Sequence, residues 1–150
     1  AVMKICNDYC NQYPELNRDI VIIGAFLHDI GKLKSYQYNT IINMTDEGRL
    51  HGHTMIGYHK FIDCFSYEGI EIESDEKQRE LMKVIGHIIL SHHGDNYLPI
   101  APQTSEAIAV SSADNLDASI RHLQLYLENS KDNWSIYDNL KGKMYYKSRI

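Results

Sequence analysis

Val2, Ile5, Cys6, Tyr9 and Cys10 recur at the i, i+3, i+4, i+7, i+8 spacing of one helical face, so the pattern predicts a helix from the first residues onward. No Ser, Thr, Asp or Asn precedes that stripe to cap it, and we therefore expect the natural polypeptide to begin further upstream. Asn17 predicts the cap of a second helix. Its interior, residues 20–27, is apolar almost all round and so expected at the centre of a bundle. His28 and Asp29 fall in its last turn, and Gly31 is expected to stop it. Residues 35–50 are rich in Tyr, Thr and Ile with a Thr45-Asp46-Glu47-Gly48 turn, a loop with room for a small β-hairpin.

A third helix is expected over about 52–65, followed by an acidic connection over 68–74. Asp75 and Gln78 resemble a capping box for a fourth helix over about 76–92. Residues 96–102, with two prolines, read as loop, and Thr104 or Ser105 opens a fifth helix to about residue 128. The last twenty residues are polar and aromatic around the single Trp134 and carry no periodicity that assigns them. The sum is an all-α helical bundle in one domain, residues 1–150.

A chain of 150 residues with 43% hydrophobic content is long enough to bury about 68–70% of its extended surface in one ordinary core. The net charge of −5 and pI of about 5.9 exclude a basic stripe along the whole chain as a nucleic-acid or membrane footprint. An anionic substrate then has to be drawn in by a metal and a few cations. The odd count of Cys6, Cys10 and Cys64, without a C-x-x-C pair and among apolar residues, reads as reduced thiols in a cytoplasmic core. No run approaches the roughly 18 apolar residues of a membrane span.

Within this frame stands an ordered series of histidines and carboxylates: His28-Asp29, Gly52-His53, His92-His93 and Asp114. Imidazole and carboxylate together suit a borderline divalent ion such as manganese, iron, nickel or zinc, whereas magnesium or calcium would be held almost wholly by oxygen. Adjacent helical residues point about 100° apart, but at a helix end both members of a His-Asp pair can reach one cation. On the fourth helix, Leu81, Ile85, Ile88 and His92 follow one face and Met82, Ile89 and His93 the next, so both histidines end its buried side. Asp114 lies among Val110, Ala113 and other small apolar residues, where an unpaired carboxylate is costly. It should face a cation, whether a metal or, as the ordinary alternative, Arg121 or Lys32. Asp117 has the same two readings. His53 alone would read as a capping or surface residue, and the series is what changes its weight. His87 falls on a polar side, and His51, His59 and His122 read as ordinary histidines. Ser91 has no base and orienter beside it in the pattern, so a serine nucleophile is a poor reading.

The order His-Asp, His, His-His, Asp resembles the HD superfamily of metal-dependent phosphohydrolases. Within it, the chain is similar to the HD module of the YhaM-type 3'-to-5' exoribonucleases, on the motifs His28-Asp29-Ile30-Gly31-Lys32, Thr45-Asp46-Glu47-Gly48-Arg49-Leu50 with Gly52-His53, Leu90-Ser91-His92-His93-Gly94 and Asp114-Asn115-Leu116-Asp117-Ala118. The extended Gly-Tyr-Pro signature of cyclic-dinucleotide phosphodiesterases and the Glu-Asp pair of alarmone hydrolases are both missing at the corresponding places.

The resemblance implies an all-helical fold with one or two divalent transition-metal ions, manganese favoured, and Asp29 bridging them. His28 and Asp114 would hold the first ion, His53, His92 and His93 the second, and Lys32 would contact a substrate phosphate. The implied reaction is phosphoester hydrolysis by water whose pKa the cations lower toward about 7, with developing charge met by the metals and Lys32. Family members carry a further metal-binding His on the preceding helix. No histidine occurs here before His28, so that ligand is expected upstream and the first site weakened or empty.

Three functions stay open at this level. The first is an exoribonuclease module acting on RNA, with a nucleic-acid-binding OB domain upstream that does the gripping, since the basic residues here are sparse and the eleven tyrosines scattered. The second is a stand-alone phosphohydrolase of nucleotides or small phosphomonoesters. The third is a regulatory scaffold that has lost catalysis. No membrane partner is expected, and an oligomer is compatible with all three.

Overall fold

A computed structural model describes residues 1–67, 76–94, 100–128 and 130–148. The order of elements is α1 (Val2–Gln12), α2 (Arg18–Leu27), α3 (Lys32–Ser35), β1 (Tyr36–Tyr38), β2 (Ile42–Met44), α4 (Asp46–Tyr67), α5 (Glu76–Ser91) and α6 (Ser105–Glu128). The two strands pair antiparallel with Tyr36 opposite Met44 and Tyr38 opposite Ile42, a small hairpin on an otherwise helical protein. No helix of the described residues is long and apolar enough to cross a membrane. The chain forms two compact units, Ala1–Asp114 and Asn115–Ile150, which divide within α6.

In the first unit, Cys6 and Cys10 of α1, Val21 and Ala25 of α2, Ile88 of α5 and Ala107, Val110 and Ala113 of α6 make one apolar cluster. Phe61 of α4 with Ile85 and Ile89 of α5 make another, flanked by Leu27 and Tyr58. Burying each such aliphatic side chain contributes roughly 1.5–3 kcal/mol, and truncating one costs about 2–5 kcal/mol. Ile88 and Ile89 serve different clusters from successive positions, so α5 is sandwiched. Of the histidines that follow, His92 is fully buried and His93 half-buried.

The local signals explain the helix ends. Asn17 accepts the backbone N–H of Ile20 at 3.3 Å and caps α2, and Thr104 accepts that of Ala107 at 3.1 Å and caps α6. Thr45 does the same for Gly48 at 2.9 Å. That cap starts α4 at Asp46, where the pattern predicts a turn over residues 45–48 and a start near Gly52. Gly52 instead marks a kink, with φ of 73°, so that His53 opens a second helical stretch at a new angle. The proposed partner of Gln78 in a capping box, Asp75, and the acidic connection over 68–74 lie outside the described residues, as do residues 95–99 of the loop before α6.

Three further expectations are corrected. Gly31 is not a left-handed stop: its φ is −66°, and it is required because a Cβ there would lie 1.9 Å from the carbonyl oxygen of His53. The central helix α2 is not buried all round, for Phe26 and Ile23 are exposed while Val21, Gly24 and Ala25 face inward. Cys64 is exposed, unlike Cys6 and Cys10.

Candidate metal centre

His28 caps the C-terminus of α2 and Asp29 follows in the turn before α3. A carbonyl oxygen only accepts, so His28 Nδ1–H donates to the Ala25 carbonyl at 2.7 Å, and His92 Nδ1–H likewise to Ile89 at 2.8 Å. Each ring is thereby held with Nε2 turned inward. A backbone carbonyl on the far nitrogen is the usual partner of a metal-ligating histidine.

His28 Nε2 lies 3.4 Å from Asp29 Oδ2 and 3.7 Å from Asp114 Oδ1. Asp29 Oδ2 also receives Lys32 Nζ at 2.7 Å, whereas Oδ1 faces His53 Nε2 at 3.5 Å and His92 Nε2 at 3.7 Å. His53 and His93 bring their Nε2 atoms within 2.8 Å of each other. The result is two groups of three, His28, Asp29 and Asp114 in one and His53, His92 and His93 in the other. Each offers ligand atoms within 4.8 Å of one another, and Asp29 turns one oxygen to each group.

The electrostatics of the two groups differ. Burial works against charge on His28, but the carboxylates of Asp114 and Asp29 outweigh it and raise the ring to about 9. Burial likewise opposes ionisation of Asp29 and Asp114, yet His28, and for Asp29 also Lys32, hold both below the usual carboxylate range. In the second group burial dominates. It lowers His92 to about 4, helped by His93, and lowers His53 and His93 as well. One group thus pairs anionic oxygens with a cation, and the other offers neutral nitrogens.

The residues fit a metal. Asp29 Oδ1 and His92 Nε2 are both buried without a hydrogen-bond partner, a costly state for a carboxylate oxygen and a ring nitrogen. Ligands about 2.1 Å from one ion lie about 3.0–3.4 Å apart in octahedral or tetrahedral arrangements. Asp29 Oδ1 lies 3.5 Å from His53 Nε2 and 3.7 Å from His92 Nε2, and the His53 and His93 Nε2 atoms are 2.8 Å apart, all close to that. Donors of mixed nitrogen and oxygen suit a transition ion.

Several neighbours stand elsewhere. Asp117 is paired with Arg121 at 3.8 Å, and Lys32 with Asp29 rather than with Asp114. Ser91 is buried and its hydroxyl donates to the His87 carbonyl at 2.7 Å, which occupies it structurally. His87 is not a solvated residue: its Nε2 accepts the Gln103 backbone N–H at 2.8 Å and ties down the segment before α6. No sequence spacing signals that contact. In the second unit, His122 donates to the fully buried Asp138 at 2.5 Å. The i, i+4 pair His122 and Tyr126, which share that acceptor, is the trace it leaves in the sequence.

Over 133 residues the chain is 32% identical to the 3'-5' exoribonuclease YhaM of Bacillus licheniformis, covering 87% of this chain and 40% of that protein. The YhaM of Bacillus subtilis matches at the same identity and coverage. That of Listeria monocytogenes is 29% identical over 136 residues, again covering 87% of this chain and 40% of the relative. The chain therefore spans about two fifths of the length of the curated relatives it matches. No solved structure matches it. Residues 1–119 match the HD domain model, a stretch that contains every member of both groups. With that much of its 150 residues accounted for, the chain belongs to the HD domain family.

Proposed function

We propose that the chain is the catalytic module of a metal-dependent phosphohydrolase that cleaves phosphodiester bonds, acting as a 3'-to-5' exoribonuclease. The single observation that carries this reading is the division of Asp29, whose two oxygens face two groups of ligand atoms while Oδ1 and His92 Nε2 stay without partners. The names of the relatives support RNA as the substrate.

In this reading His28, Asp29 and Asp114 hold one ion and Asp29, His53, His92 and His93 another. A bound divalent transition ion, manganese in the first place, lowers the pKa of water toward about 7 and draws charge from the phosphoryl oxygens. The chain does the rest. Carbonyls of Ala25 and Ile89 keep His28 and His92 in the tautomer that presents Nε2. Lys32, half-buried and anchored on Asp29, is the cation this reading assigns to a substrate phosphate, exchanging one anionic partner for another as substrate arrives. Relatives more than twice as long as this chain support a further nucleic-acid-binding domain that shares the grip on RNA.

The test is hydrolysis by chelator-treated protein to which manganese, iron, nickel or zinc is restored. Labelled RNA with a free 3' end should shorten from that end with release of mononucleotides, and faster than free mononucleotides are dephosphorylated. Faster turnover of mononucleotides would replace this reading with a small-phosphoester hydrolase, and the absence of any metal-dependent hydrolysis would leave a scaffold.

A further inference from the structure

Between residues 129 and 150 the chain reverses its charge. Five Lys and Arg stand against Asp132 and Asp138, in a protein whose net charge is −5. Asp138 is spent internally: it has no exposure and accepts from His122, Tyr126 and Tyr145 and from the backbone N–H groups of Leu140 and Lys141. That carboxylate pins a hairpin-like segment to the second half of α6. The pairings are Trp134 opposite Tyr146 and Asp138 opposite Lys143.

Side chains alternate along an extended strand, so pinning one face frees the other. Ser135 is buried and Tyr145 half-buried on the inner face. Trp134 and Tyr146 lie on the outer face, 54% and 53% exposed, with ring centroids 5.1 Å apart and planes tilted by 59°. Ile136 and Met144, each two residues along, are exposed as well. Lys131, Lys141, Lys143 and Lys147 are all exposed on the same segment, Lys143 with its ammonium 5.4 Å from the Tyr145 ring of the inner face, and among the described residues of this stretch Asp132 alone offers an exposed carboxylate.

We propose that this segment, with Trp134 and Tyr146 on its outer face and Lys131, Lys141 and Lys147 exposed along it, binds single-stranded RNA. The rings are tilted and not stacked on each other, so each keeps a π-face for a base, and the lysines meet the phosphates between bases. An apolar protein partner fits less well, because lysine is depleted from the cores of protein interfaces. A second copy of the chain would bring lysines against lysines. The choice of RNA over other single strands rests on the function proposed above.

The experiment measures fluorescence anisotropy of a labelled oligoadenylate titrated with the whole chain in chelator, where nothing is cut, over a range of salt. Each lost phosphate contact lowers the slope of log affinity against log salt by about 0.7 for single strands, so K131Q/K141Q/K147Q should lower it by about 2. Trp134→Ala should weaken binding roughly 10-fold and Trp134→Phe should restore most of it. With manganese, all three variants should hydrolyse bis(p-nitrophenyl) phosphate as the parent does, which shows the catalytic unit intact. Absence of RNA binding by the parent, or an unchanged slope and affinity in the variants, would overturn the surface. So would self-association that Trp134→Ala abolishes. RNA that is bound here but never cut supports the surface and overturns the exoribonuclease reading, whereas RNA cut with the same KM by every variant overturns the surface alone.

Discussion

Asp29 Oδ1 and His92 Nε2 face each other at 3.7 Å, both buried and neither engaged in a hydrogen bond. His92 is lowered to about 4 by burial, so at neutral pH it brings no proton to bridge the gap. A folded protein keeps such a pair of acceptors face to face when something positive belongs between them. The predictions begin from that gap.

Asp29→Ala removes the one side chain that turns an oxygen to each ligand group. Elemental analysis should find the transition metal lost from the purified protein, and turnover should fall by more than the roughly 10–100-fold seen when an outer partner of a ligand is removed. Full metal content in this variant would show that Asp29 does not bridge.

Lys32→Ala leaves every ligand atom in place. Metal content should match the parent while kcat drops by roughly 100-fold or more, the scale associated with one preorganised donor to a developing oxyanion. A rise in KM alone, or loss of metal, would move Lys32 out of the role given to it.

Gly31→Ala tests how the His-Asp turn is packed against α4. The added Cβ meets the His53 carbonyl oxygen and the Gly57 backbone nitrogen, atoms that cannot swing aside. Destabilisation of about 3 kcal/mol, or a Tm lower by roughly 10 °C, is expected, with weakened metal retention because His53 is displaced. An unchanged Tm would mean that the turn can shift without cost.

In the second unit, burial pushes the Asp138 carboxyl up, but hydrogen bonds from His122, Tyr145, Lys141 and Leu140 outweigh it and hold the group below its ordinary value of 3.8. The unfolded chain therefore takes up the proton first as pH falls. Stability from this group is fully present above 3.8 and is lost as the pH drops through and below that value. Emission of Trp134, the single tryptophan, should report loosening of the unit on acidification. In Asp138→Asn the loosening should already be present at neutral pH, with the acid transition flattened. An Asn variant that titrates like the parent would remove Asp138 from its anchoring role.

Much of this protein is legible before any coordinate. Asn17 and Thr104 cap helices because a side-chain oxygen three residues from an orphan amide acts locally, and the spacing of apolar residues on α1 and α5 selects the buried face by geometry alone. The order of His28, Asp29, His53, His92, His93 and Asp114 is likewise plain to read. Other features are not written locally. The need for Gly31 to lack a side chain, the acceptor role of His87 and the anchoring of Asp138 each depend on a partner brought near only by folding. The same holds for the centre. Sequence names the candidate ligand atoms, but their convergence, and the way Asp29 shares its oxygens, are set by packing of helices over long chain separations, where no local periodicity carries information.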